Sequence, residues 1–374
     1  MPNISDLRQR QALPLEAKVH MTQIRIREWY NHWDGDVYVA FSGGKDSTVL
    51  AHLVKDMYPN VPLVYSNTGL EYPEIQAFAR KMGAEFVRPK MQFSEVISKY
   101  GYPLIGKEVA YAIWESRKIG GGKETIRRRN DLMGKRQEDF LAKDVKDKVA
   151  SPAFNKTKWI NLATETNFLV GSNCCHIMKK TPLKSYETKT GNKPYAALLA
   201  EESRLREQLW LKYGCNAFDV RQPMSRPMSF WYEQDILHYI KDNNLEICSV
   251  YGDILASDDT GMLYEPLPGI DCKLKCSGCQ RTGCIFCAFG THLEKGETRF
   301  KRLSKTHPKQ YEYCMMGGQW VDNPKYDPSA LKMDGDWKNW NPKKIWVPSK
   351  EGLGMKKVFD DCNQIYGKDF IKYE

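Results

Sequence analysis

Residues 36–57, DVYVAFSGGKDSTVLAHLVKDM, set a short apolar run, a serine and glycine loop and a helical repeat in immediate succession. The run 36–41 is too short for a helix and is bounded by Gly35 and Gly43, which predicts a buried strand. Val49, Leu50, Leu53, Val54 and Met57 then recur at helical spacing, so a helix follows the loop. A glycine loop between a strand and a helix start is where backbone N–H groups and the positive helix end converge on an anion.

The pattern continues on both sides. Residues 21–33 read as a helix, VPLVYS (61–66) as a second strand, Pro73 to Met82 as a helix and EFVRP (85–89) as a third strand. Further helices are predicted near Glu202–Tyr213 and over 231–243. Strands alternating with helices predict an α/β fold with a parallel sheet flanked by helices. The 374 residues allow two or three domains. The expected division is an N-terminal extension (1–20), a nucleotide-binding domain (21–290) with a basic insertion at about 104–160, and a helical, Trp-rich extension (291–374).

In the loop, Gly43 and Gly44 let the backbone approach phosphate, Lys45 adds a point charge, and Ser42 and Ser47 add hydroxyl donors. Asp46 is suited to holding Mg²⁺ or capping the helix. A Walker A loop has Ser or Thr directly after its lysine, and here Asp46 follows Lys45. Ser42-Gly43-Gly44-Lys45-Asp46-Ser47 after a strand resembles instead the PP-loop of the adenine-nucleotide alpha-hydrolase superfamily, in its phosphoadenosine phosphosulfate (PAPS) reductase branch. Asn67-Thr68-Gly69-Leu70-Glu71 is similar to the family's segment beside the nucleotide. Glu202, Ser203 and Arg206 are similar to its Glu-Ser-x-x-Arg substrate motif. Without the family, Glu202 and Arg206 read as a helical i, i+4 ion pair. Ala197 and Leu199 stand where the family often has Gly-x-Arg. The resemblance spans about residues 20–290 and implies ATP or a sulfonucleotide at the loop, with Lys45 and Asp46 in the chemistry.

Cys272, Cys276, Cys279, Cys284 and Cys287 crowd into sixteen residues of a chain with 11 cysteines, a density that suits soft metals or clusters. Spacing alone leaves a structural zinc on four of the five open. Gly-Cys284-x-x-Cys287 and the pair Cys174-Cys175 resemble the two halves of the cluster motif in iron–sulfur adenylylsulfate reductases. That resemblance implies a [4Fe–4S] cluster on Cys174, Cys175, Cys284 and Cys287. It leaves Cys279 as a catalytic or persulfide-carrying thiol.

Sulfonucleotide reductases use a cysteine in a C-terminal Glu-Cys-Gly-x-His segment, and this sequence has none. The intact parts resemble tRNA thiolases and phosphorothioation ATPases. The expected activity is therefore ATP-dependent adenylation of an acceptor, tRNA or DNA, for sulfur transfer from a cysteine desulfurase or another donor. Sulfonucleotide reduction is the alternative, and nucleotide binding without turnover is the third. A net charge of +10, the triplet Arg127-Arg128-Arg129 and the basic stretch 295–309 suit a polyanionic partner. No segment reads as a membrane span or signal peptide, and the expected location is the cytoplasm.

Overall fold

The computed structural model describes residues 3–135, 156–258, 261–266 and 272–374. Residues 136–155 of the expected basic insertion lie outside the described residues. The chain groups into two compact units, one of 1–90 with 178–284 and one of 91–177 with 285–374. Contacts therefore do not follow the linear division expected from sequence: residues 291–374 share a unit with 91–177.

The first unit is built on a six-stranded sheet in the order Glu85–Val87, Leu63–Ser66, Val37–Phe41, Lys193–Tyr195, Met224–Ser225, Asn216–Ala217. All pairings are parallel except the last, between Asn216–Ala217 and Met224–Ser225. Val37, Val39 and Val64 are fully buried, as near-continuous apolar strands of a parallel sheet require. The helix Lys45–Met57 turns Val49, Leu50, Leu53 and Val54 inward, as its spacing predicts. The predicted helix at 21–33 begins earlier, at Leu15, and runs to His32. Residues 3–20 of the expected extension pack into the unit: Leu7 is buried, and Lys18 Nζ lies 2.7 Å from Asp235. The strand Leu274–Cys276 joins Ile254–Ser257 and Leu263–Tyr264 in a small antiparallel sheet within the cysteine-rich region.

Among the described residues the second unit combines short helices with three strand pairs. Ala288–Phe289 pairs in parallel with Leu104–Ile105. The segment expected to be a helical extension holds two antiparallel pairs, Gln319–Asp322 with Lys344–Val347 and Met333–Asp334 with Trp337–Lys338. Period-2 alternation explains the first: Ile345 and Val347 are buried with Leu169 and Trp340, while Trp320 and Trp346 meet on the other face. The predicted helix break at Pro308 separates Arg299–Thr306 from Pro308–Met315.

Arg117 organises this unit from within. Its guanidinium donates to the carbonyls of Leu162, Ala163 and Phe168 and to Thr166 Oγ1 at 2.7–2.8 Å. It also lies 4.4 Å from the Trp340 ring centroid. The triplet expected to meet phosphate is largely committed to structure. Arg128 is buried against Glu108 (2.6 Å) and Glu124 (2.8 Å), and Arg129 is buried against Asp334 and the carbonyls of Ser116 and Lys118. Arg127 alone stays 52% exposed, 3.6 Å from Glu124. In 295–309, Arg299 pairs with Glu294, and Arg302 and Lys305 share Glu297. Charge runs announce cations but not the distant carboxylates that consume them. Among the described residues, no helix is long and apolar enough to cross a membrane.

Candidate active site

The loop Ser42–Ser47 leaves the end of the central strand and starts the helix Lys45–Met57. Gly43 has φ +71°, and a Cβ there would come within 2.8 Å of Ile75 Cγ2, so both conformation and space call for glycine. Ser47 shapes the turn. Its hydroxyl donates to Gly44 O at 2.9 Å, accepts from Ser42 N at 3.2 Å and meets Ser42 Oγ at 3.0 Å.

Lys45 is 5% exposed, with Nζ 2.7 Å from Glu233 Oε1 and 2.8 Å from the carbonyl of Gln280. A lysine in the first turn opposes the helix dipole, so helix stability does not account for its presence. Tyr251 covers the loop: its hydroxyl accepts from Lys45 N at 3.3 Å and meets Thr282 Oγ1 at 2.8 Å. The segment Gln280–Thr282, from the cysteine-rich region, thus closes over the glycine loop.

Ser42, Gly44, Lys45, Asp46, Glu202, Glu233, Tyr251, Arg281 and Thr282 line a cleft of about 160 Å³, with Leu199 and Glu201. Ligand pockets usually run to about 300–1,000 Å³, so this cleft holds phosphate-sized groups rather than a whole nucleotide. An adjoining opening of about 500 Å³ shares Glu201, Glu202, Glu233 and Arg281 and adds Tyr232 and Gln234.

Charges in the cleft are balanced internally. Glu202 pairs with Arg206 and lies 3.7 Å from Arg281, while Glu233 holds Lys45. Burial lowers the Arg206 pKa and neighbouring Arg281 lowers it further, with Asp46 opposing. Burial also raises the Asp46 carboxyl above its ordinary range, against the pull of Lys45 and with a push from Glu233. Glu202 closes a 3-10 turn, and Ser203 caps the helix Arg204–Tyr213 through Arg206 N at 3.3 Å. The Glu202–Arg206 pair therefore bridges a turn and a helix rather than lying along one helix, as its spacing had suggested.

Other predicted residues stand apart from the cleft. Asn67 accepts from Gly69 N at 3.1 Å, and Thr68 Oγ1 donates to Glu71 at 2.8 Å. Glu71 is buried and 3.3 Å from Lys179 Nζ. The pKa of Lys179 is raised: burial works against this, but Cys284 and Glu71 outweigh it. Cys284 and Glu71 thus both face Lys179 in the first unit. Cys174, Cys175 and Cys287 belong to the second unit, where burial raises the Cys287 thiol and Cys175 adds to the rise. Among the described residues no group of three or more His, Cys, Asp or Glu is placed to hold a metal ion, so no chemical step is derived through one. Cys279 is buried beside Gln280; Cys276 is buried too, and burial raises its thiol while Lys45 pulls the other way.

Sequence reasoning missed Glu233, Tyr251, Arg281 and Thr282. Arg281 and Thr282 lie inside the cysteine cluster, where the thiols drew attention from their neighbours.

A family model, the phosphoadenosine phosphosulfate reductase domain, matches residues 36–289, about two thirds of the chain. A search of the curated proteins finds no match. Among solved structures, the phosphate complex of a phosphoadenylyl-sulfate (PAPS) reductase from Candida auris is 12% identical. That match covers 67% of this chain and 91% of that one, with a TM-score of 0.34, too slight a likeness to build on. The family model spans the glycine loop, the Glu202–Arg206 pair and the segment that closes over Lys45. The chain belongs to the phosphoadenosine phosphosulfate reductase domain family.

Proposed function

We propose that the cleft of the first unit binds the anhydride end of an adenosine sulfonucleotide of the phosphoadenosine phosphosulfate class, and that the enzyme transfers the sulfuryl group to a thiol. The observation that carries this reading is that Lys45 and Arg281 line a phosphate-sized cleft within the family match, with Arg206 behind it on the lining residue Glu202. In the reaction a cysteine thiolate attacks sulfur, the S–O bond to the nucleotide breaks, and the electron pair leaves with the adenosine phosphate. Lys45 and the helix N–H groups stabilise the charge that develops there. A second thiolate, from a dithiol reductant, then displaces sulfite and leaves a disulfide. Cys279, next to Gln280, is the proposed first thiol.

One observation favours a second reading, in which ATP is cleaved to adenylate an acceptor for sulfur transfer. Cys314 and Cys362, the cysteines that follow the family match, are fully buried, and burial raises both thiols, so neither is a ready nucleophile. In that reading Asp46 holds Mg²⁺, and the acceptor is a nucleic acid or nucleotide. In either reading a [4Fe–4S] cluster, or zinc, on Cys174, Cys175, Cys284 and Cys287 is a proposal that iron, sulfide and zinc analysis of anaerobically purified protein checks.

Parallel calorimetric titration with PAPS, adenylyl sulfate and ATP-Mg, followed by sulfite and pyrophosphate assays, separates the readings. Tightest binding of a sulfonucleotide with sulfite release supports the first. Tightest binding of ATP with pyrophosphate release overturns it in favour of the second.

A further inference from the structure

The net charge of the chain is unevenly shared. By sequence the first unit has 25 Lys and Arg against 24 Asp and Glu, and the second has 31 against 22. An excess of nine positive charges therefore sits on the unit that does not hold the nucleotide cleft. Most of the conspicuous basic runs is already matched, because Arg128, Arg129, Arg299, Arg302 and Lys305 face carboxylates, whereas Lys301 of the 295–309 stretch has no ion pair among the described residues.

Exposed lysines without an ion-pair partner among the described residues do supply it: three of them line one cleft, and a fourth, Lys158, lies over Phe370, which the chain sets between the cleft residues Asp369 and Ile371. Lys158 Nζ sits 5.0 Å from the Trp159 ring centroid and 5.5 Å from that of Phe370, held by two aromatic rings rather than by a carboxylate. Those rings belong to a half-buried cluster, with Tyr366 5.3 Å from Trp159 and 4.8 Å from Phe370. Two residues before Phe370, Lys368 enters a cleft of about 400 Å³ that Lys301 and Lys372 also line. The cleft wall is fixed: Thr298 Oγ1 donates to Lys372 O at 2.7 Å, and Asn363 Oδ1 accepts from Ile371 N at 2.8 Å. Its carboxylates are Asp369 and Glu374, the latter 3.8 Å from Lys356.

We propose that this surface binds single-stranded nucleic acid, its phosphates on Lys158, Lys301, Lys368 and Lys372 and a base on the Trp159 and Phe370 rings. Unpaired ammonium groups beside accessible aromatic rings are the two components of sequence-tolerant single-strand binding. A single strand carries a planar base with every phosphate, whereas an acidic protein surface has no such ring beside each charge and a duplex keeps its bases stacked inside.

The test uses the full chain and fluorescence anisotropy with a labelled oligothymidylate of about 12 nucleotides, within the usual site size. Each lysine contact with a single strand contributes about −0.7 to the slope of log affinity against log salt, so four contribute roughly −3. The expected result is saturable binding at about 50 mM salt with a slope at least that steep. Lys158→Gln, Lys301→Gln, Lys368→Gln and Lys372→Gln combined lower affinity at least tenfold and flatten the slope by about 3. All four side chains are exposed, and circular dichroism with thermal unfolding checks that the variant folds. Absence of binding at low salt, unchanged binding by the fourfold variant, or equal competition by polyglutamate overturns the proposal. The surface does not depend on the nucleotide reading, and adenine-nucleotide titration of the same variant reads that reading separately.

Discussion

Lys45→Met asks whether the glycine loop is a binding device or a structural one. The ammonium is 5% exposed, 2.7 Å from Glu233 Oε1 and 2.8 Å from Gln280 O. A cation in the first turn of a helix is disfavoured by about 0.3–1 kcal/mol, and the substitution relieves that. Against this stands the ion pair with Glu233, whose side chain is 41% exposed and rehydrates once the lysine is gone. Such a pair contributes roughly 0–1 kcal/mol. Methionine keeps most of the buried stem; the lost ion pair and the lost hydrogen bond to Gln280 O outweigh the relieved dipole term by about 1 kcal/mol, so the melting temperature falls by no more than about 2–4 °C. Binding responds differently. A hydrogen bond from a charged donor to phosphate or sulfate contributes about 1.5–3 kcal/mol, so nucleotide affinity falls about 10- to 100-fold. Calorimetric titration alongside scanning calorimetry measures both quantities on the same preparation. A large drop in melting temperature with unchanged nucleotide affinity refutes the reasoning and makes Lys45 a structural residue.

Asp46→Asn addresses pH dependence. Because burial raises the Asp46 carboxyl in the folded state, the folded protein binds more protons than the unfolded chain between the ordinary and raised values, and stability falls as pH rises through that window. The asparagine variant is therefore expected to be more stable than the parent at neutral pH, with the gap closing towards pH 4, as urea titrations across that range would read; a variant less stable throughout contradicts this. Arg117→Met removes four hydrogen bonds and leaves the Ala163 and Phe168 carbonyls without this donor; at about 1–3 kcal/mol for each buried acceptor left unpaired, it should destabilise the second unit by about 2–6 kcal/mol. Arg117→Lys should recover only part, since one ammonium cannot reproduce a planar fork; full recovery in denaturant melts would show that charge alone suffices.

The parts of this protein legible in its sequence are those encoded locally. The strand, glycine loop and helix of 36–57 lie within 22 residues, and apolar periodicity with Gly43 specifies all three. The carboxylate that holds Lys45 is contributed by Glu233, and the lid by Tyr251 and Gln280–Thr282, roughly 190–240 positions along the chain. No spacing rule reaches that far. The same limit misdirected the reading of Arg127-Arg128-Arg129, because Asp334, which receives Arg129, stands 205 residues on. The strands Gln319–Asp322 and Lys344–Val347 went unread because each is four residues long, too brief for a two-residue period to stand out from tryptophan-rich surroundings.

Each cation around the glycine-loop cleft already has a carboxylate: Glu233 for Lys45, Glu202 for Arg206 and Arg281. An incoming anion must outbid these internal partners rather than fill a bare positive hole. Chloride and bicarbonate offer one charge and little reach, so they gain too little to part the pairs. An anion with several oxygens spread over two charged groups can engage more than one cation and gains more. Cations already paired in this way set an admission threshold, which favours an anion able to engage several of them at once over one that meets a single charge.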